Sequence, residues 1–390
     1  MSEDRIPENS ARPPVSRRDL LRTVGGAGAT AFTIVRPAAV RGAAANSAIS
    51  VGLIGAGNRG SYDASIVHAD PRARVTAVCD LFDDRIEPAL KTIKVQKPDV
   101  YKDFEKLLAS GVDAVIIATP PFEHPRMLAA AVQAGKHVYC EKPAGVDLAG
   151  CKSVMATGRK ADPKKCLFFG FQQRHGMVYL EAYKRLRAGQ IGELVNARGF
   201  WIDANPFTRV AYADPKVEKL RNWFCYRDYS GDFLIEQDCH NLDALHWFLD
   251  SLPLRAVGYG GRKVRTTFET LDHLSLSFEF PNGIHVNFEG NQLSPPGFKK
   301  VGEEFTGTKG VLETSRSRLV HTKGPGSAET IPQKRDITID AFEAFLTRIQ
   351  SGEALNMAEQ SARSTMIGVL GRTAVYRGRE ATWKGEFGTV

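Results

Sequence analysis

Three side chains in one segment have the types and spacing of a proton-transfer site. Glu236, His240 and Asp243 are spaced i, i+4 and i+7, so a single continuous helix would carry all three on one face. A carboxylate one turn from an imidazole orients the ring and raises its proton affinity. This arrangement suits a general base that takes a hydroxyl proton while hydride leaves the same carbon. The alternative is a salt-linked histidine on a half-buried helix face.

A second candidate is the lysine in Glu141-Lys142-Pro143, which follows the apolar run His137–Cys140. The proline restricts Lys142 to an extended backbone. At the carboxyl end of a parallel strand, its ammonium could hydrogen-bond a substrate hydroxyl and stabilise a developing alkoxide. The alternative is a surface lysine before a turn.

A glycine-rich turn predicts the group that would accept the hydride. The apolar run Ile49–Ile54 precedes the turn, and a second apolar run after it ends at Asp80. The glycines permit a tight turn, close approach of a pyrophosphate and close helix packing, and the acid binds ribose hydroxyls. This order of strand, glycine turn and acidic residue predicts NAD as cofactor. NADP stays an alternative, because Arg59 and Arg85 could accommodate its 2′-phosphate. The turn residues predicted to bind the cofactor are Gly55, Ala56, Gly57, Asn58, Arg59 and Gly60.

The elements that must position these residues fall into two domains. Residues 48–171 alternate short apolar strands with helical patterns, which predicts an α/β Rossmann domain with a doubly wound parallel sheet. Ligands bind such sheets beyond the carboxyl ends of the strands. That rule adds Thr119, Pro120 and Glu141 to Asp80 and Lys142 as residues at the cofactor edge.

Residues 172–390 lack the regular alternation of strands and helices seen in residues 48–171. Their pattern predicts an α+β substrate-binding domain with an open, mostly antiparallel sheet. Asn282-Gly283 is a hairpin signal, and one long helix is expected from about Phe233 to Phe248. Substrate contacts are expected from Arg174, which follows the last Rossmann strand, from Asp243, and from Tyr226 in an aromatic group. Ordinary packing is the alternative for each aromatic ring.

The first 45 residues have the layout of an export signal. The segment Ser16–Arg22 contains Arg17-Arg18 and a leucine pair, a mildly apolar stretch follows, and Ala43–Ala45 offers a cleavage site. This pattern predicts a twin-arginine signal and a periplasmic protein. Because such proteins fold before export, we expect a tightly held cofactor that is regenerated in place. A disordered basic tail or a short amphipathic anchor is the alternative.

Composition narrows the partners. The formal net charge is +8, but the sequence contains no Lys/Arg run interleaved with aromatic residues. Nucleic-acid binding therefore has little support, whereas an acidic sugar substrate stays open. The six cysteines form no CxxC and no metal-spaced cluster with histidine, so no metal site is expected. No stretch reaches the roughly 18 apolar residues that a membrane span needs.

With these pieces in place, residues 48–385 resemble the Gfo/Idh/MocA oxidoreductases, the family of glucose–fructose oxidoreductase and inositol 2-dehydrogenase. The motifs that carry the resemblance are Gly55–Gly60, Ala118-Thr119-Pro120-Pro121 with His124, Glu141-Lys142-Pro143 and Glu236…His240…Asp243. The resemblance implies a Rossmann domain, His124 beside the cofactor, Lys142 and His240 as the catalytic pair, and an open-faced sheet that forms oligomer contacts.

One departure stands out, because the family usually has Asp four residues before the catalytic histidine, with Gly between them. Those positions hold Glu236 and Asp238 here. We therefore expect NAD(P)-dependent oxidation of a sugar, polyol or glycoside hydroxyl by a homo-oligomer, a dimer or tetramer, with His240 as base tuned by Glu236. The alternatives are a redox-neutral enzyme that cleaves glycosides by oxidation and elimination, and a non-catalytic nucleotide-binding sensor.

Overall fold

The computed structural model describes residues 48–204 and 207–389. The predicted export signal, residues 1–45, lies outside these described residues. Within them, no helix has both the length and the apolar character needed to cross a bilayer.

A six-stranded parallel sheet forms the first part of the described chain, with strand order β3-β2-β1-β4-β5-β6. Its central strands are continuous apolar runs whose side chains, such as Val51 and Ile116, are fully buried, as expected for a sheet covered on both faces. This confirms the predicted doubly wound fold. The strands are β1 (Ile49–Ile54), β2 (Ala73–Cys79), β3 (Asp99–Tyr101), β4 (Ala114–Ile117), β5 (His137–Cys140) and β6 (Leu167–Phe169).

Helices connect these strands and bring all the strand carboxyl ends to one edge of the sheet. The helices are α1 (Asn58–Ala69), α2 (Asp83–Ile93), α3 (Phe104–Leu108), α4 (His124–Gln133) and α5 (Leu148–Lys160).

The second part of the chain contains a nine-stranded sheet with order β14-β13-β12-β11-β7-β10-β9-β8-β15. Only β7 and β10 pair in parallel among its described strands, so the predicted mostly antiparallel sheet is confirmed. Asn282 and Gly283 have φ of 63° and 70° in the turn between β9 and β10, as the hairpin signal requires. The strands are β7 (Leu194–Ile202), β8 (Arg255–Gly261), β9 (His273–Glu279), β10 (His285–Asn291), β11 (Lys300–Gly307), β12 (Val311–Thr314), β13 (Arg318–Gly324), β14 (Ser327–Pro332) and β15 (Ala381–Thr382).

Helices of this second part contact strands of both sheets. The largest is α12, whose buried face contacts both α5 and β8. The helices are α6 (Met177–Arg187), α7 (Pro215–Arg221), α8 (Arg227–Ser230), α9 (Phe233–Glu236), α10 (Cys239–Leu249), α11 (Ile337–Ser351), α12 (Ala358–Arg377) and α13 (Trp383–Phe387), and 3₁₀ turns lie at Pro121–Glu123, Gln172–His175 and Trp223–Cys225.

The prediction of one long helix from about Phe233 to Phe248 is wrong, because the helix is interrupted between α9 and α10. The Asp238 N–H bonds the Phe233 carbonyl at 3.1 Å, five residues back, and the His240 N–H reaches only Gln237 O at 3.5 Å. A turn widened in this way changes the phase of the residues that follow it. The i, i+4, i+7 spacing therefore does not place its three polar residues in one group.

Candidate functional site

The glycine turn is shaped by close backbone contacts on one side and is open on the other. Gly55 has φ of +94°, and a Cβ built on Gly60 would lie 2.0 Å from the Gly55 carbonyl oxygen. A Cβ on Gly57, the residue before α1, would have no described atom within 4 Å. The first N–H groups of a helix have no intrahelical acceptor, so this open face suits a pyrophosphate.

Asp80 ties the turn to the end of β2. Its carboxylate accepts hydrogen bonds from Ala56 N at 2.8 Å and Phe82 N at 2.9 Å. An ionised carboxylate has about four acceptor positions, so those left over can accept from ribose hydroxyls. The turn, helix terminus and carboxylate together fit the adenosine and pyrophosphate portions of NAD.

A buried ionic cluster supports the turn from behind. Arg59 lies 2.8 Å from Glu141 and 3.1 Å from Asp63. Burial opposes the charge on Arg59, but Glu141 and Asp63 outweigh it and raise the Arg59 pKa. Burial also acts to raise the pKa of Glu141, but Arg59 and Lys142 outweigh it and lower that pKa, whereas burial raises the Asp63 pKa well above its ordinary value. Arg59 and Glu141, both predicted to bind cofactor, therefore form an ion pair with each other.

His124 joins two loops at the cofactor edge. Its Nε2 lies 2.9 Å from the Thr119 carbonyl oxygen and its Nδ1 lies 2.7 Å from that of Pro143. Pro120 precedes the short 3₁₀ turn that leads into α4. Burial lowers the pKa of the enclosed His124 ring. His124 thus fixes the loops after β4 and β5 relative to one another.

Lys142 is held by the interrupted helix. Its ammonium donates to the Glu236 carbonyl oxygen at 2.5 Å and to Glu236 Oε1 at 3.2 Å. Burial acts to lower the Lys142 pKa, but Glu236, Cys239 and Glu141 outweigh it and raise the pKa, so the ammonium stays charged. The break between α9 and α10 frees the carbonyl that binds it. The prediction that Glu236 orients His240 is therefore wrong in this structure, because Glu236 pairs with Lys142.

His240 is a buried base between aromatic rings. Its ring stacks on Trp201 at 5.7 Å between centroids and meets the edge of Phe171 at 6.2 Å. Burial, followed by the charges of Arg316, Lys142 and Arg59, holds the His240 pKa well below its ordinary value. The expectation of a raised proton affinity is wrong, since cations rather than a carboxylate face the ring. A neutral imidazole can still accept a proton from a bound hydroxyl.

Arg174 and Asp243 bind each other instead of projecting as separate substrate ligands. Arg174 donates three hydrogen bonds of 2.8 to 3.1 Å to the fully buried Asp243, which also accepts from Ser364 at 2.6 Å. A buried carboxylate needs such a bidentate partner. Their predicted direct substrate contacts give way to a structural role beneath α10.

Tyr226 is likewise used within the protein. Its hydroxyl accepts from Arg209 at 2.7 Å and donates to Glu218, and the residue is 8% exposed. These partners leave little surface for the sugar stacking expected from sequence. The aromatic group around Tyr226 packs as a small core of its own with Cys225 and Phe268.

Several polar groups near His240 were missed by sequence reasoning. Trp201 Nε1 and His240 Nδ1 are buried and have no described protein partner. Asp238, which replaces the family's usual glycine, is also buried without a partner, and burial raises its pKa well above the ordinary value. The only sequence signal for any of these polar groups was the departure from the family motif, which indicated Asp238. Within the described ranges, no group of three or more His, Cys, Asp or Glu could hold a metal ion.

Two family models match the chain. Residues 49–170 match the Gfo/Idh/MocA model described as "Oxidoreductase family, NAD-binding Rossmann fold", and residues 179–313 match the "GFO/IDH/MocA C-terminal domain". The match to the first model bears out NAD as the cofactor, in agreement with the open glycine turn and Asp80.

Curated relatives and solved structures agree with these matches. The chain is 25% identical over 311 residues to scyllo-inositol 2-dehydrogenase (NAD(+)) of Bacillus subtilis, covering 78% of this chain and 83% of the relative. It is 25% identical over 312 residues to inositol 2-dehydrogenase of Salmonella typhimurium, covering 78% and 87%. A structure of levoglucosan dehydrogenase with NADH and levoglucosan has a TM-score of 0.73 at 16% identity and covers 86% of this chain and 99% of that one. The chain belongs to the Gfo/Idh/MocA family of NAD-binding oxidoreductases.

Proposed function

We propose that this protein oxidises a hydroxyl of a sugar, polyol or glycoside and passes the hydride to NAD. The observation that carries the proposal is the pairing of a charged Lys142, held on Glu236, with a neutral His240 in one electrostatic neighbourhood. The names of the relatives, inositol and levoglucosan dehydrogenases, support hydroxyl-rich ring substrates.

The two groups have complementary tasks. His240 takes the hydroxyl proton, and its depressed pKa keeps it ready as a base throughout the neutral range. The Lys142 ammonium donates a hydrogen bond to the same oxygen and stabilises negative charge as it develops. NAD, when bound, supplies the nicotinamide ring that accepts the hydride.

NADH formation tests this assignment. Purified protein is mixed with NAD and a panel that includes myo-inositol and levoglucosan, and absorbance of NADH is followed. We expect turnover by the wild type and a fall of about 10²- to 10⁴-fold in kcat for Lys142→Met. Absence of turnover across the panel in protein that binds NAD would favour the non-catalytic sensor. Mass spectrometry of the products separates net oxidation from redox-neutral cleavage of a glycoside.

We also propose that the cofactor is retained between turnovers. A bridging segment, residues 207–229, belongs to the second part of the chain but touches the parallel-sheet part near both ends of the expected cofactor site. Arg221 pairs with Asp84 at 2.6 and 2.8 Å and lies 4.0 Å from the Phe82 ring centroid, just beyond Asp80. The ring of Tyr229 packs on the ring of Phe122, two residues after Pro120, with 4.3 Å between their centroids. These contacts support a cofactor that dissociates slowly.

Cofactor exchange measures that retention. Denatured wild-type protein is expected to release co-purified nucleotide, identified by mass spectrometry. Arg221→Ala should speed NADH release about 3- to 10-fold, as expected for loss of a bidentate pair. Arg363→Ala is the matched control, because it removes a 2.8 Å pair with Glu359 within helix α12, outside the bridging segment. Complete exchange within the mixing time by the wild type would contradict retention.

Export and assembly are further parts of the proposal. Arg17 and Arg18 support a twin-arginine route to the periplasm, and loss of periplasmic protein in an Arg17→Lys, Arg18→Lys variant tests it. Val257 and Tyr259 share one side of β8 and are 44% and 73% exposed, which supports a homo-oligomer, a dimer or tetramer, formed through that sheet face. Light scattering of the wild type and Tyr259→Arg measures the assembly.

A further inference from the structure

Arg316 lies one aromatic ring away from the proposed base. It occupies the turn between β12 and β13, and its guanidinium carbon is 5.2 Å from the centroid of the Trp201 ring. The same indole stacks on His240 at 5.7 Å. Trp201 and Arg316 also line a cavity of about 580 Å³ at this end of the sheet. The Arg316 side chain is exposed to solvent, so a ligand in the cavity can reach it.

Arg316 differs from the other arginines around the cleft. Arg59, Arg174 and Arg221 each hold a carboxylate at 2.6 to 2.8 Å. Across residues 48–204 and 207–389, Arg316 makes no ion pair with a carboxylate, and its described partner is the face of Trp201. A solvent-accessible guanidinium without an ion-pair partner, in a cavity that Lys299, Lys300 and Arg318 also line, is a site at which an anion gains binding energy.

The charges around Arg316 support the same conclusion. Loss of hydration lowers the Arg316 pKa, and the positive charge of Arg59 adds to that lowering against the opposing effects of Tyr179, Asp336 and Glu303. Burial raises the pKa of Glu303 to about 8, so this neighbouring carboxyl is largely uncharged at neutral pH and does not neutralise Arg316. A bound anion would supply the missing negative charge.

We propose that Arg316 binds a carboxylate on the substrate, so that the hydroxyl oxidised at His240 belongs to an acidic sugar such as a uronic or aldonic acid. This inference rests on the proposed dehydrogenase function. The planar fork of a guanidinium matches the two oxygens of one carboxylate. A phosphate dianion favours several free cations, and two of those that line the cavity, Lys299 and Lys300, are already paired with Asp203 and Glu304 at 2.5 and 3.4 Å. Arg318 also lines the cavity, so a phosphate ester belongs among the test probes.

Three probes that differ mainly in charge test the assignment: D-glucuronate, its methyl ester and glucose 6-phosphate. In the wild type, kcat/KM for glucuronate should exceed that for the ester by about 10-fold or more. Arg316→Gln should lower the acid-to-ester ratio by about 10- to 100-fold, and Arg316→Lys by less, since one point charge replaces the fork. Arg379→Gln is the matched control, an exposed arginine that does not line this cavity and should keep the ratio.

Binding to the NAD-loaded protein gives a readout independent of turnover. Glucuronate should raise the wild-type Tm, and this rise should be absent in Arg316→Gln. Equal use of acid and ester, an equal loss in Arg379→Gln, preference for glucose 6-phosphate or a Tm rise that survives Arg316→Gln would each overturn the carboxylate site. Oxidation of the neutral ester in any of these cases leaves the dehydrogenase function standing, whereas glucuronate binding without NADH formation from any probe counts against that function alone.

Discussion

The cofactor wall and the substrate wall of the cleft satisfy their polar groups in different ways. On the cofactor wall, Asp80 accepts two backbone hydrogen bonds, Arg59 lies between two carboxyl groups, and both ring nitrogens of His124 face carbonyl oxygens, while the buried Tyr139 hydroxyl has no described partner. On the substrate wall, Trp201 and His240 keep buried polar atoms without a described protein partner, and Arg316 has no carboxylate there.

This difference indicates which ligand each wall is built for. A cofactor that is the same in every turnover can be held by a frame whose charged groups are paired within the protein. A hydroxyl-rich substrate must supply the missing hydrogen bonds itself, and a buried polar group left without one is costly. Specificity is therefore expected to reside in the substrate wall.

The largest effect is expected from His240, because it is the proposed base. His240→Gln should lower kcat about 10²- to 10⁴-fold while NAD affinity is retained. Because cations and burial hold the His240 pKa well below 6.5, wild-type kcat/KM should stay flat from neutral pH down to below 6.5. Rate measurements across pH, with NAD binding measured in parallel, check both statements.

A half-buried histidine on the same helix serves as the control for this substitution. His246 bonds Ser364 at 2.8 Å, so His246→Gln should reduce stability more than catalysis. An equal loss of kcat in both variants would mean that α10 is merely disturbed, and the assignment of His240 as base would fall.

On the cofactor wall, two glycines separate ligand contact from packing. A Cβ on Gly57 meets no described atom within 4 Å, so Gly57→Ala should keep the Tm of the apoprotein. Crowding the pyrophosphate should cost about 1–3 kcal/mol, which raises the Kd for NAD about 10- to 100-fold. Gly60→Ala should instead lower the Tm, because its Cβ would lie 2.0 Å from the Gly55 carbonyl oxygen. An unchanged Kd in Gly57→Ala would contradict the predicted pyrophosphate position.

The same contrast explains what could be predicted from the sequence. The parallel sheet followed from local signals, because glycine conformations, short apolar strands and an acid at a strand end are encoded within a few residues of one another. Lys142 followed from its place after β5, given the general rule for the edge of such sheets.

The substrate wall depends on contacts between distant segments, so local patterns could not give it. The helix break at Gln237 and Asp238 removes the phase on which the pairing of Glu236 with His240 depended. Lys142, 94 positions from Glu236, takes that carboxylate instead. Trp201 reaches His240 from the end of β7, and Arg316 reaches Trp201 from the turn after β12, and no spacing in the sequence marks these residues as neighbours.

Glu236 links the two walls, and its removal is expected to have a moderate effect. In Glu236→Gln the carbonyl contact of Lys142 remains, but the carboxylate that helps to raise the Lys142 pKa is lost. The Lys142 pKa should fall, so activity should be lost at a lower alkaline pH than in the wild type. We expect kcat at neutral pH to fall less than about 10-fold, since one supporting charge is lost.

The pH profile of kcat distinguishes this role from a purely structural one. Glu236→Asp restores a carboxylate and should move the alkaline limb back toward that of the wild type. A profile that does not move in Glu236→Gln would contradict the electrostatic role of Glu236.

The smallest expected effect concerns two buried glutamates with opposite pKa shifts. Glu303 on the substrate side accepts from Thr314 at 2.7 Å, and burial raises its pKa to about 8. A raised folded-state pKa gives stability that is present below the unfolded pKa and is lost as the pH rises through about 8. Glu303→Gln should therefore remove part of the wild-type fall in Tm between pH 6 and 9, a difference of about 2–4 °C.

Glu141 on the cofactor wall should show the opposite dependence. Burial acts to raise its pKa, but Arg59 and Lys142 outweigh burial and lower it, so the stability it gives is present above the unfolded pKa and is lost as the pH falls through the folded one. Glu141→Gln should lower Tm at neutral pH and flatten the acid limb, whereas Glu303→Gln flattens the alkaline limb. Thermal unfolding of both variants across pH checks this pairing. Acid and alkaline limbs that respond alike to the two substitutions would mean that the walls do not differ in charge state, because an ionised carboxylate and a protonated one must titrate on opposite sides of neutrality.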